Sequence, residues 1–214
     1  IIYMLLGPLR HRFTALERAK EQGIGHYFVP RYTRVVDTAE SKDNINKAYN
    51  LISTSKVRNE MIIDDVITCV ARKQTPVILT RFKEHAKFLH DALKEKADHV
   101  FLLYGDNSDK ENAEIRVKLK QIPENESLIL VATGQKIGEG FDFPRLDVLM
   151  LAAPVSFEGR LEQYVGRLNR DYVGKEAVYV YDYIDSHVRY FDKMYAKRLR
   201  TYRKTGFSIW TQEL

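Results

Sequence analysis

Three features of this sequence predict an α/β fold, a doubly wound and mostly parallel sheet with helices on both faces. Short apolar runs without polar alternation recur at Val77–Leu79, Val100–Leu103, Leu128–Ala132, Val148–Ala153 and Ala177–Tyr181. Such continuity marks strands buried on both faces, because a strand with one wet face alternates. Segments with apolar residues at helical spacing lie between these runs, and strand-helix-strand at this rhythm gives right-handed βαβ units. The 214 residues are 44% apolar and 29% charged, the composition of a folded globular chain holding one large domain or a domain plus part of another.

Taken in order, the elements have local causes. Leu9–Phe13 reads as a strand, and Thr14-Ala15-Leu16-Glu17 has the spacing of a capping box that opens a helix to about Gln22. Gly23 and Gly25 stop that helix, and His26–Val36 returns as an extended, aromatic and β-branched stretch. Asp37–Ser55 is polar and helical in part. Val57–Arg72 repeats apolar residues at helical spacing (Met61, Val66, Ile67, Val70), and Cys69 among them reads as a small buried hydrophobe. The change of pattern sets a domain boundary near residue 40. Lys83–Ala97 is amphipathic, with Phe88, Leu89 and Leu93 expected to face inward. Ser108-Asp109-Lys110-Glu111 is a second capping box, opening a helix to about Ile122. The last helix, His187–Lys204, has an apolar stripe of Val188, Phe191, Tyr195, Leu199 and Tyr202. Its basic stripe, Arg189, Lys193, Lys197, Arg200 and Lys204, is either a solvated face or a nucleic-acid footprint.

A net charge of +5 and a pI of about 9.1 favour a polyanionic partner. One cysteine excludes an internal disulfide framework and fits a reducing, cytoplasmic compartment. No apolar run approaches the ~20 residues that span a bilayer, so no membrane partner is expected. Ile1–Leu6 is apolar but too short, and without a basic flank, for a signal peptide. The chain opens on Ile1 rather than methionine, and is expected to be part of something longer.

Two stretches carry chemistry. Read as a helix at ~100° per residue, Gln163-Tyr164-Val165-Gly166-Arg167-Leu168-Asn169-Arg170 gathers Gln163, Arg167 and Arg170 on one face. Leu161, Val165 and Leu168 fall on the opposite face. Two guanidinium groups one turn apart suit a multiply charged oxyanion such as a nucleotide γ-phosphate. Equally, they could pair with Glu158, Glu162 or Asp171. Upstream, the apolar run ending at Ala132 leads into Thr133-Gly134-Gln135-Lys136-Ile137-Gly138-Glu139-Gly140-Phe141-Asp142. Glycines let backbone N–H groups approach phosphates, and a carboxylate ending such a loop can accept from a ribose hydroxyl or simply close a turn before Phe143-Pro144.

Together these stretches resemble motifs V and VI of superfamily 2 helicases, an Ala-Thr followed by Gly-x-Asp, then Q-x-x-G-R-x-x-R, in the expected order. The resemblance covers residues 76–204 and implies the second of two RecA-like domains. It makes residues 41–214 that domain and residues 1–40, with Gly7-Pro8, Arg10 and Arg12, a connector from the end of the first. It implies ATP with Mg2+ bound mainly by the first RecA-like domain, which becomes a partner, and DNA as the tracked polymer, with RNA not excluded. Leu79-Thr80-Arg81 matches motif IV and Tyr104-Gly105-Asp106 the loop after the next strand. Thr80, Arg81, Gly105 and Thr133 would then line the nucleic-acid groove. For Thr80 a helix cap is the alternative role. Gly138, Gly140 and Asp142 would approach the nucleotide, while Arg167 and Arg170 act as arginine fingers and Gln163 orients them or senses ATP.

Departures point within the family. Gln163 stands where DEAD-box helicases have histidine, Leu168-Asn169 replaces their Thr-Gly, and Tyr164 sits where an additional arginine is frequent. These lean towards the restriction-enzyme and XPB-like DNA translocases. No G-x-x-x-x-G-K-[ST] occurs, since Gly174-Lys175 is followed by Glu176, and no D-E-x-[DH] occurs either. The chain alone therefore cannot assemble a phosphoryl-transfer site. Two other classes remain open: a non-catalytic nucleic-acid-binding module, and an interaction domain of a restriction or repair complex.

Overall fold

The computed structural model describes residues 23–134, 143–155, 158–170 and 172–210. The expected Leu9–Phe13 strand and the helix ending at Gln22 lie outside them, as do Gly138, Gly140 and Asp142. Strand β1 (Gly25–Tyr32) precedes three helices, α1 (Ala39–Asp43), α2 (Ile45–Thr54) and α3 (Lys56–Ala71). From there strand and helix alternate through β2 (Pro76–Thr80), α4 (Lys83–Leu93), β3 (His99–Leu103), α5 (Asp109–Gln121) and β4 (Leu128–Thr133). The chain continues through β5 (Val148–Leu151), α6 (Glu158–Leu168), β6 (Ala177–Ile184), α7 (Arg189–Thr205) and β7 (Ser208–Ile209). Among the described residues these strands form one seven-stranded sheet, every pairing parallel, in the order β3-β4-β2-β5-β6-β1-β7.

Every residue of β2, β4 and β5 is buried, which is why their sequences read as unbroken apolar runs. Successive side chains feed opposite faces. Val77, Leu79, Leu130, Ala132, Leu149 and Val180 pack with Leu161, Tyr164, Val165 and Leu168 of α6 and Tyr202 of α7. Ile78, Ile129, Val131, Met150 and Tyr181 pack on the other side with Ile62, Val66 and Cys69 of α3 and Ala86, Leu89 and Leu93 of α4. The sheet is thus wound on both faces, as its sequence predicts. Burial pushes the Cys69 thiol up to about 12, so it serves as packing.

The Ser108 capping box forms as expected, Ser108 Oγ accepting from Glu111 N while Glu111 Oε2 accepts from Ser108 N. Helix α7 stops at Gly206, whose φ of 74° favours glycine. Phe88 differs from expectation: it is 51% exposed. The inward positions of α4 go to His85, Ala86, Leu89 and Leu93, and Phe88 falls about 100° away from Leu89. The stretch expected to connect two domains supplies β1, which pairs along its whole length with β6, from Gly25↔Ala177 to Tyr32↔Ile184.

Candidate functional site

Helix α6 is held from behind. Leu161, Tyr164, Val165 and Leu168 are buried at i, i+3, i+4 and i+7, so one stripe is fixed in the core. Gln163 is exposed and Arg167 half-buried on the remaining surface. The helix ends at Leu168, so exposed Arg170 lies in the following turn rather than on the helix that its spacing predicts. The Lys175 ammonium gathers that end, donating to Leu168 O (2.7 Å), Leu146 O (2.8 Å), Arg170 O (3.2 Å) and Pro144 O. A cation at a helix carboxyl terminus offsets the dipole and satisfies its open carbonyls. His26 Nε2 lies 2.8 Å from Asn169 Oδ1 and ties the same turn to the start of β1.

The approach to α6 is fastened by three side chains. Arg58 Nη1 donates to Ala152 O (2.8 Å), the Tyr49 hydroxyl to Pro154 O (2.7 Å) and Arg198 Nη1 to Val155 O (3.0 Å). Both guanidiniums are buried and bidentate on carboxylates of the β6 region. Arg58 meets Asp185 at 2.9 and 3.1 Å, and Arg198 meets Asp182 at 2.8 and 2.8 Å. Thr33 and Tyr202 hydroxyls add bonds of 2.6 and 3.0 Å to these carboxylates. Such full hydrogen bonding is what lets ion pairs persist without water.

At the carboxyl edge of the sheet Thr80 and Thr133 are register partners, closing β2 and β4 side by side. Both are buried, and Thr80 Oγ1 is 3.4 Å from Phe82 O, bonded within its own turn. Gly105 is exposed, and Lys83 reaches across it to Asp106, whose carboxylate raises the lysine pKa. Arg81 is exposed but engaged: its guanidinium lies 4.4 Å over the Tyr49 ring and 3.3 Å from Asn46 Oδ1. Arg81, Lys83, Lys56 and the exposed Phe88 line an open groove of about 1010 Å³.

Thr80, Thr133 and the Gly105 loop therefore share one edge of the sheet. Arg170 does not join them. Lys175 reaches Arg170 and also Leu146 just ahead of β5, which puts that turn by the amino-terminal ends of the strands. Sequence reasoning missed Lys83, Lys87 and Tyr164. Lys83 and Lys87 share a face of α4 at i, i+4, and Lys87 Nζ lies 5.4 Å from the Tyr104 ring, so helical spacing could have found them.

The chain is 28% identical over 172 residues to transcript termination protein A18 of Yaba-like disease virus, covering 75% of this chain and 35% of that protein. It is 33% identical over 118 residues to putative helicase 161L of Invertebrate iridescent virus 6, covering 54% of this chain and 22% of that one. No family model matches. Among solved structures, T4 UvsW superposes with a TM-score of 0.67 at 19% identity, covering 88% of this chain and 41% of UvsW. The fold is an α/β, RecA-like one that this chain shares with T4 UvsW. At 35% and 22% coverage, the chain spans about a third or less of these two viral relatives.

Proposed function

We propose that the chain is the second motor domain of an ATP-dependent DNA helicase or translocase, supplying arginine fingers and part of the nucleic-acid groove. One observation carries this reading: α6 is locked into the core by one stripe while Gln163 and Arg167 lie on its open surface, with Arg170 exposed in the next turn. Guanidiniums carried on and just beyond a helix anchored in this way suit the phosphates of ATP. Mg2+ would come with the nucleotide on the first motor domain. ATP supplies the phosphoryl group whose transfer drives movement. The chain's own part is to hold charge near it through Arg167 and Arg170, and to hold the polymer backbone at the Thr80–Thr133 edge. Among the described residues no helix is long and apolar enough to cross a membrane. The likeness to a transcript termination protein supports a polymer met during transcription.

The test is ATP turnover of the full-length protein with DNA present. Arginine fingers are typically worth about 10³–10⁵ in rate, so Arg167→Ala or Arg170→Ala lowers turnover by orders of magnitude while ATP affinity changes far less. Lysine rescues poorly, lacking a planar fork of donors. Structural ion pairs would instead lower melting temperature and leave turnover intact. Near-wild-type turnover in both alanine variants removes the assignment.

A further inference from the structure

Tyr164 lies on the inner face of α6 at 3% exposure, yet its hydroxyl donates to Gly134 O at 2.9 Å. Gly134 directly follows Thr133, the last residue of β4. A Cβ at Gly134 would stand 2.8 Å from the Tyr164 hydroxyl but 3.8 Å from Cζ. That oxygen alone fills the space a side chain at 134 would need. Packing does not require it, since Leu161, Val165 and Leu168 fill the same stripe with hydrocarbon. The hydroxyl's visible work is to bind a strand end to a helix.

We propose that Tyr164 and Gly134 form the link through which nucleic acid at the Thr133 edge positions Arg167 and so governs ATP turnover. The proposal rests on the motor reading given above. On one side of the link a fully buried strand ends beside the polymer-facing edge; on the other, Arg167 lies three residues beyond Tyr164 on the same helix. Strand and helix are each stiff, so a displacement at Thr133 reaches α6 through the Gly134 carbonyl. Tyr164, buried in the core, is a positioning residue that acts through α6.

The experiment measures ATP turnover of the full-length protein with and without a mixed-sequence DNA oligonucleotide, and reads the ratio. Loss of one hydrogen bond corresponds to roughly a two- to tenfold effect, so Tyr164→Phe lowers that ratio about fivefold. Gly134→Ala lowers it further, because its Cβ meets the hydroxyl. In the double variant Gly134→Ala, Tyr164→Phe the collision is gone and the ratio returns to that of Tyr164→Phe alone. Independent roles would make the two effects multiply instead. An unchanged ratio in Tyr164→Phe, with or without a lowered melting temperature, overturns the link, as does multiplication in the double variant. A wild-type protein with no DNA stimulation overturns the motor reading itself. A stimulated wild type with unaffected variants overturns only the link.

Discussion

His85 occupies an inward position of α4, its Nε2 2.9 Å from Asn59 Oδ1, and Asn59 Nδ2 in turn donates to Ser53 O at 2.8 Å. Burial, with Arg58 nearby, pushes the imidazole pKa down to about 3. The folded protein therefore keeps His85 neutral where the unfolded chain, at about 6.5, takes a proton. Its contribution to stability is complete above pH 6.5 and is lost as pH falls from there towards 3. His85→Gln keeps a donor for Asn59 without the titration. Its stability relative to wild type should rise by up to ~1.4 kcal/mol per pH unit of acidification across that window, checked by urea unfolding at several pH values. A flat difference would mean that His85 is protonated in the fold. Asp147 runs the other way. Burial lifts its carboxyl to about 6 against the Thr75 N–H and Lys175, so acidification from pH 7 to 4 favours the folded state at that residue.

At the scale of elements, the two buried arginine–aspartate pairs fasten Ala152 and Val155 on the approach to α6. Removing one partner of such a pair leaves the other charged and dry, which costs about 3–5 kcal/mol. Arg198→Ala and Asp182→Ala should each lose about that much in denaturant unfolding, and the double variant should lose far less than their sum. Additive losses would show that the pair does not act as a unit. For neither arginine was the buried partner legible from the sequence. Arg198 falls seven residues after Phe191 and four before Tyr202, on the apolar stripe of α7, so helical spacing points it inward while its charge reads as surface. Its burial is set by Asp182, on another element, and no local pattern encodes that pairing. Phe88 failed for the converse reason: a large hydrophobe on an amphipathic helix reads as core, whereas buried His85, bonded to Asn59, does not. The inner stripe of α6 and the Ser108 capping box were legible because each depends on neighbours within one or two turns.

At the scale of the whole molecule the net charge is +5, and the five basic residues of the α7 stripe are all exposed. A nucleic-acid footprint there predicts that affinity for double-stranded DNA falls steeply with salt, and that Lys197→Ala, losing one phosphate contact, flattens the log–log salt slope by about 1. A slope unchanged by Lys197→Ala and Arg200→Ala marks the stripe as solvated. The fold class was legible because unbroken apolar runs in β2, β4 and β5 report burial on both faces directly. The place of β1 was not, since its aromatic and β-branched stretch announces a strand and says nothing of its neighbours. That place has a consequence for the order of synthesis. β1 leaves the ribosome before every other described strand, yet its two sheet neighbours, β6 and β7, emerge last. Until then its backbone donors and acceptors have no native strand beside them, and the nascent chain holds an open edge of the kind that recruits foreign strands. Completion of the sheet is therefore a late, long-range event, joining the two ends of the described chain only when nearly all of it has been made.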